Sequence, residues 1–180
     1  TYIGWNETLL CKVAIKEFYP GQICERDSDG ITVRPKDAKS AHHFRAGLQS
    51  FLEEARSVAN LQDIKGVVAI YTFFEQNGTG YIVMEYLEGM DVKSILKQSG
   101  NKKDYEWCRR VILTVLHTLK DIHKRGVLHR DIAPDNVFVT NEGVIKLIDF
   151  GAAKHASELA NIRTEIVLKQ GYAPIEQYLS

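Results

Sequence analysis

The sequence is poor in several things, and each shortage closes off a class of explanation. It has three cysteines in 180 residues, Cys11, Cys24 and Cys108, with no CxxC pair among them. An odd count without that spacing gives no basis for a disulfide framework and points to free thiols in a reduced compartment. Net charge is missing too, since Lys plus Arg and Asp plus Glu both number 23. That balance gives no electrostatic reason to expect nucleic acid or an acidic membrane surface as a partner. No apolar run approaches the length needed to cross a bilayer, and no signal-peptide pattern opens the chain, so a cytosolic protein is expected. With 44% hydrophobic and 26% charged residues, the composition is that of an ordinary globular domain with a sizeable core.

What is present concentrates in one stretch, His129-Arg130-Asp131-Ile132-Ala133-Pro134-Asp135-Asn136. A carboxylate and a carboxamide five residues apart in a loop suit phosphoryl transfer, where a hydroxyl nucleophile needs a base and the phosphates need metal ions that are themselves held. Asp131 fits the first task and Asn136 part of the second. Residues 137–139 and 144–148 read as short strands around a turn at Thr140-Asn141-Glu142-Gly143. A hairpin there would bring Asn136 beside Asp149 of Asp149-Phe150-Gly151, giving two oxygen ligands for magnesium.

These residues, with Val13-Ala14-Ile15-Lys16 upstream and Ala173-Pro174-Ile175-Glu176 downstream, resemble the protein kinases, specifically bacterial serine/threonine kinases of eukaryotic type. The resemblance runs the length of the chain. It implies an α+β, two-lobe kinase-like fold, with a small antiparallel-sheet lobe at 1–87 and a mainly helical lobe at 88–180 that stops after the activation segment. It also implies ATP and Mg2+ as cofactors and a protein substrate bearing serine or threonine, with flanking regulatory domains possible. By the same resemblance Asp131 is the base, Asn136 and Asp149 hold magnesium, and Lys16 neutralises phosphate charge while a helix glutamate holds it. Glu54, directly before Ala55, is favoured over Glu53 for that partner. Ala14 and Met84 would lie at the adenine, and Glu85 and Leu87 in the hinge that offers it backbone groups. Asp91 would face the ribose, and Phe138 is assigned to the nucleotide as well.

Read without the resemblance, several of these residues keep plainer roles. Lys16 is a charge on a half-apolar strand, Met84 is core filler, and Asp91 is a helix N-cap for Val92–Gln98.

In chain order, residues 1–5 and 9–16 read as strands. Residues 17–40 form a long excursion or a short extra hairpin, with Asp27, Asp29 and Gly30 in a solvated turn rather than a calcium loop. His42 and His43 are adjacent and would point to different sides of a helix, which argues against a shared metal. A helix is predicted over 41–60, strands over 67–74 and 81–85 around Asn77-Gly78, and a helix over 105–124. The last should bury one stripe made of Val111, Ile112, Val115, Leu116, Leu119 and Ile122.

Two departures from the family pattern stand out. Ala133 occupies a position usually held by lysine, and Lys169 one usually held by threonine; the motif glycines of the family's phosphate loop are also missing from this stretch. Lys169 is predicted to supply the missing cation from the activation segment, whose candidate phosphosites are Ser157 and Thr164. Because helices that usually complete the larger lobe are also absent, the chain alone is expected to be poorly active. Two other readings share the frame: a pseudokinase acting as a nucleotide-binding scaffold, and a small-molecule phosphotransferase.

Overall fold

The computed structural model describes residues 1–151 and the backbone of Lys154 and His155. The chain divides into two compact units, one of Thr1–Asn60 with Ala69–Tyr86, the other of Leu61–Val68 with everything from Leu87 onward.

The first unit is an antiparallel sheet of order β1-β2-β6-β5, formed by β1 (Tyr2–Asn6), β2 (Cys11–Glu17), β5 (Ile70–Gln76) and β6 (Thr79–Glu85). The β5–β6 connection is the two-residue turn that Asn-Gly favours, with Asn77 at φ 52° and Gly78 at φ 73°. A methyl group on Gly78 would also collide with the Val33 carbonyl oxygen. The excursion after β2 is a hairpin of β3 (Cys24–Arg26) and β4 (Val33–Pro35), paired antiparallel. At its tip, the Asp29 carboxylate accepts bonds from the Ile31 and Thr32 amides and the Thr32 hydroxyl, an Asx-type turn that needs no metal.

Helix α1 (Ala38–Ala59) starts three residues before the predicted position because Asp37 caps it, its carboxylate accepting from the Ser40 amide at 2.7 Å. Its buried face carries Phe44, Phe51, Leu52, Ala55 and Val58. The helix lies close to β6 at Gly80, where a Cβ would stand 2.7 Å from Leu48 Cδ1.

The predicted strand over 67–74 begins instead at Ile70. Val67 and Val68 belong to the second unit: the Val68 amide donates to the Leu147 carbonyl at 3.1 Å, and the Leu147 amide to the Gly66 carbonyl at 2.7 Å.

The second unit contains β7 (Gly89–Asp91), α2 (Val92–Gln98), α3 (Tyr105–Lys124), β8 (Val127–Leu128), a 3-10 turn at Pro134–Asn136, β9 (Val137–Thr140), β10 (Ile145–Leu147) and β11 (Lys154–His155). β10, β9 and β7 form one sheet, and β8 pairs with β11. Both helices have the predicted ends, each capped by an aspartate, Asp91 or Asp104.

The buried stripe of α3 differs from the predicted one. Val111, Val115, Thr118 and Ile122 are buried, whereas Ile112 and Leu116 are 57% and 55% exposed. The buried set follows one i, i+4, i+7, i+11 ridge, and residues 112 and 116 start a second ridge about 100° around the helix. Thr118 is buried where Gly66 approaches it so closely that a Cβ at 66 would collide with Thr118 Oγ1.

Candidate active site

In the first unit, β2 and α1 bring together two residues far apart in sequence. Lys16 Nζ lies 3.4 Å from Glu54 Oε1, with side-chain exposures of 30% and 12%. Lys16 also sits over the Phe51 ring at 5.8 Å from its centroid. Glu53, the other sequence candidate, is exposed. Ala14 pairs with Met84 across β2 and β6, so these two adenine candidates are neighbours. Glu85 spends both its amide and its carboxylate on Ala69: its N–H donates to the Ala69 carbonyl at 2.9 Å, and its Oε1 accepts from the Ala69 amide at 2.7 Å.

In the second unit, the loop after β8 holds Asp131 and Asn136 as a bonded pair. Asn136 Nδ2 donates to the Asp131 backbone oxygen at 2.8 Å and to its carboxylate Oδ2 at 2.7 Å. With both amide hydrogens occupied, Asn136 has its Oδ1 left as an acceptor or metal ligand. The Ile148 amide donates to the Asn136 carbonyl at 3.0 Å, so Asn136 and Asp149 stand at the same end of the β9–β10 hairpin. Asp149 is exposed, and the Gly151 amide donates to its Oδ1 at 3.3 Å. Hard, neutral and anionic oxygens of this kind fit Mg2+, which takes few protein ligands and keeps water or phosphate oxygens for the rest.

Two flanking residues sit in the left-handed region without being glycine, Arg130 at φ 64° and Asp149 at φ 58°. Such positions cost on the order of 1–3 kcal/mol each and persist only where surrounding structure fixes them. That support includes His129, 1% exposed, whose ring packs at a tilt against buried Phe150 with centroids 4.4 Å apart. Burial pushes the His129 imidazole down to about 4, against opposing pulls from the Asp131 and Asp149 carboxylates. At neutral pH it is a neutral packing group.

Asp91 caps α2, accepting from the Ser94 amide at 2.8 Å and the Ser94 hydroxyl at 2.6 Å. It faces Phe138 across β7 and β9. Leu87 is half-buried outside any strand, and Ala133 is buried. Lys169, Ser157, Thr164 and the Ala173–Glu176 motif lie outside the described residues. An open groove of about 820 Å3 in the second unit, lined by residues including Asp63, Gly66, Thr118 and Val144, contains none of these site residues.

One polar cluster was not singled out from the sequence. Glu17, beside Lys16, accepts from Arg26 at 2.5 Å and from the Tyr2 and Tyr81 hydroxyls at 2.9 Å each. Burial alone would raise its carboxyl, but these bonds and the Arg26 charge outweigh that and lower it. The four residues are scattered over the sequence, and only the alternation of β2 hinted that Glu17 and Lys16 face opposite ways.

Comparison with known proteins gives one answer. The model of the protein kinase domain matches residues 22–177. The chain is 38% identical over 121 residues to a probable serine/threonine-protein kinase of Clostridium perfringens, covering 67% of this chain and 17% of that protein. It is 35% identical over 142 residues to the probable serine/threonine-protein kinase PknB of Bifidobacterium longum, covering 74% and 20%. Among solved structures, PpkA-294 in its apo form superposes with a TM-score of 0.84 at 35% identity, over 98% of this chain and 62% of that one. The chain therefore spans about a fifth of the length of these two relatives.

Proposed function

The chain belongs to the protein kinase family, and from that premise we propose that the protein transfers the γ-phosphoryl group of ATP to serine or threonine hydroxyls of protein substrates. The observation that carries this reading is the Asp131–Asn136 pair, in which one carboxamide fixes the carboxylate at 2.7 Å and keeps its own oxygen for a cation. Asp131 orients the incoming hydroxyl and takes its proton as the oxygen–phosphorus bond forms and the bond to ADP breaks. Asn136 and Asp149 would hold Mg2+, which supplies neutralisation of phosphate charge when bound. Lys16, braced by Glu54, neutralises further phosphate charge. Ala14, Met84, Glu85, Leu87, Asp91 and Phe138 are assigned to the adenine and ribose.

Among the described residues no helix is long and apolar enough to cross a membrane. The free thiols of Cys11, Cys24 and Cys108 support a reducing, cytosolic setting. The test is phosphate incorporation by the intact protein into serine- and threonine-bearing proteins and into small-molecule acceptors. Asp131→Asn should lower kcat by roughly 10²–10⁴-fold while leaving the KM for ATP near the parent value. Parent activity on small molecules alone, or an unaltered kcat in the variant, would overturn the reading.

A further inference from the structure

The β3–β4 hairpin sits where it can control the geometry of Lys16 and Glu54, and all of it lies within the first unit. Three consecutive residues of β2 and its end are tied in different directions. Lys16 reaches Glu54 on α1. Glu17 takes Arg26 of the hairpin, with side-chain exposures of 4% and 29%. Phe18 returns to the helix side, as strand alternation requires, with its ring 5.3 Å from Phe44 and 5.5 Å from Phe51. Its backbone is fixed as well: the amide donates to the Gly80 carbonyl at 2.9 Å, and the carbonyl accepts from the Thr79 hydroxyl.

The hairpin closes on itself and on its surroundings. Lys36 Nζ donates to the Gly21 and Gln22 carbonyls at 2.7 and 3.1 Å. Arg26 donates to the Ile31 carbonyl at 2.9 Å and lies over the Tyr19 ring. The Val33 amide donates to the Asn77 carbonyl in the β5–β6 turn at 2.8 Å. Its buried residues Cys24 and Val33 share one core with Phe44 of α1, with Phe18, Ile23 and Leu48 packed against it. Gly47 lets the contact close, since a Cβ there would stand 2.8 Å from Phe18 Cζ.

We propose that this hairpin is a positioning element for the Lys16–Glu54 pair, with Arg26 as its anchoring residue. It grips α1 at Phe44, about 15 Å along the helix from Glu54 at 1.5 Å per residue. A continuous helix fixed at one end and braced again at Phe51 has its rotation and translation set at Glu54. Arg26 meanwhile fixes β2 one residue beyond Lys16, so both partners are referenced to the same hairpin. The inference rests on the proposed roles of Lys16 and Glu54 in phosphoryl transfer.

The test is a double-mutant cycle in the intact protein, reading kcat/KM for ATP-dependent transfer with Arg26→Ala and Glu54→Gln, singly and together. Arg26→Ala should lower kcat/KM roughly ten-fold, within the span of couplings measured between contacting networks, and Arg26→Lys should recover part of the loss. In the Glu54→Gln background Arg26→Ala should cost nothing further, because the pair it positions is already gone. A second ten-fold drop in that background, or no drop in the parent background, would overturn the proposal and assign the hairpin a general stabilising role. If Arg26→Ala does not fold, Glu17→Gln gives the same comparison, keeping an acceptor in place while removing the charge that Arg26 holds. An Arg26 or Glu17 variant with parent activity alongside a crippled Glu54→Gln defeats only the hairpin inference. A Glu54→Gln protein with parent activity defeats the assigned role of the pair and the hairpin inference together.

Discussion

Two clusters of site residues are held by opposite means. Asp131 and Asn136 are five residues apart and bonded directly within one loop, whereas Lys16 and Glu54 are 38 apart and meet only because α1 packs on a sheet. On chain-entropy scaling the longer closure costs about 2 kcal/mol more, and packing around Phe18, Phe44 and Phe51 must offset it. The local cluster carries its geometry with its own sequence. The distant one borrows its geometry from the whole first unit, and so is the part a remote change can disturb.

The largest expected effect is at Phe51, which is 7% exposed and packs against both Phe18 and Lys16. Phe51→Ala is expected to cost about 4 kcal/mol in the denaturant-unfolding free energy. Hydrogen exchange should quicken along α1 and leave the β9–β10 hairpin at its parent rates. Equal quickening at both places would mean that the first unit does not stand on its own packing.

A somewhat smaller effect belongs to the second unit and depends on pH. His129 is held at about 4 by burial, against an ordinary 6.5. The unfolded chain therefore binds a proton that the folded form refuses between those values. This stabilisation is complete above pH 6.5, is lost as the pH falls toward 4, and amounts to about 3 kcal/mol. His129→Phe, which keeps a ring against Phe150, should remove that portion of the pH dependence. A variant with the parent's slope would show that other groups carry it.

The smallest effect is expected at Asp91, a cap by geometry and a nucleotide contact by assignment. Asp91→Ala should lose about 1 kcal/mol of stability. Asp91→Asn should retain the cap, so a raised KM for ATP in that variant would assign a ribose contact and an unchanged one would leave only the cap.

The sequence made the local features readable and left the distant ones obscure, for reasons visible in single residues. Asp91 and the Asn77-Gly78 turn act within a few neighbours, and α3 shows sustained helical spacing, so α2, α3 and the β5–β6 turn could be placed from caps and spacing, while the Asp104 cap of α3 is seen only in the structure. The Asp131–Asn136 loop was legible for the same reason. Val67 and Val68 look like the start of a strand, but Leu147 claims their backbone, and no local pattern reveals so distant a partner. Ile112 and Leu116 are as apolar as Val111 and Val115, so hydrophobicity alone could not tell the buried ridge of α3 from its neighbour. Glu17 carries no local signal of its role, because the arginine and tyrosines that enclose it come from three other strands.

The approach of Gly66 to Thr118 makes these two positions a single heritable trait. A side chain gained at 66 must be matched by volume surrendered at 118, while a smaller residue at 118 alone opens a void. Lineages that alter one are thus expected to have altered the other, and chimaeras that join residue 66 of one homologue to α3 of another should fail at this seam even when each parent folds.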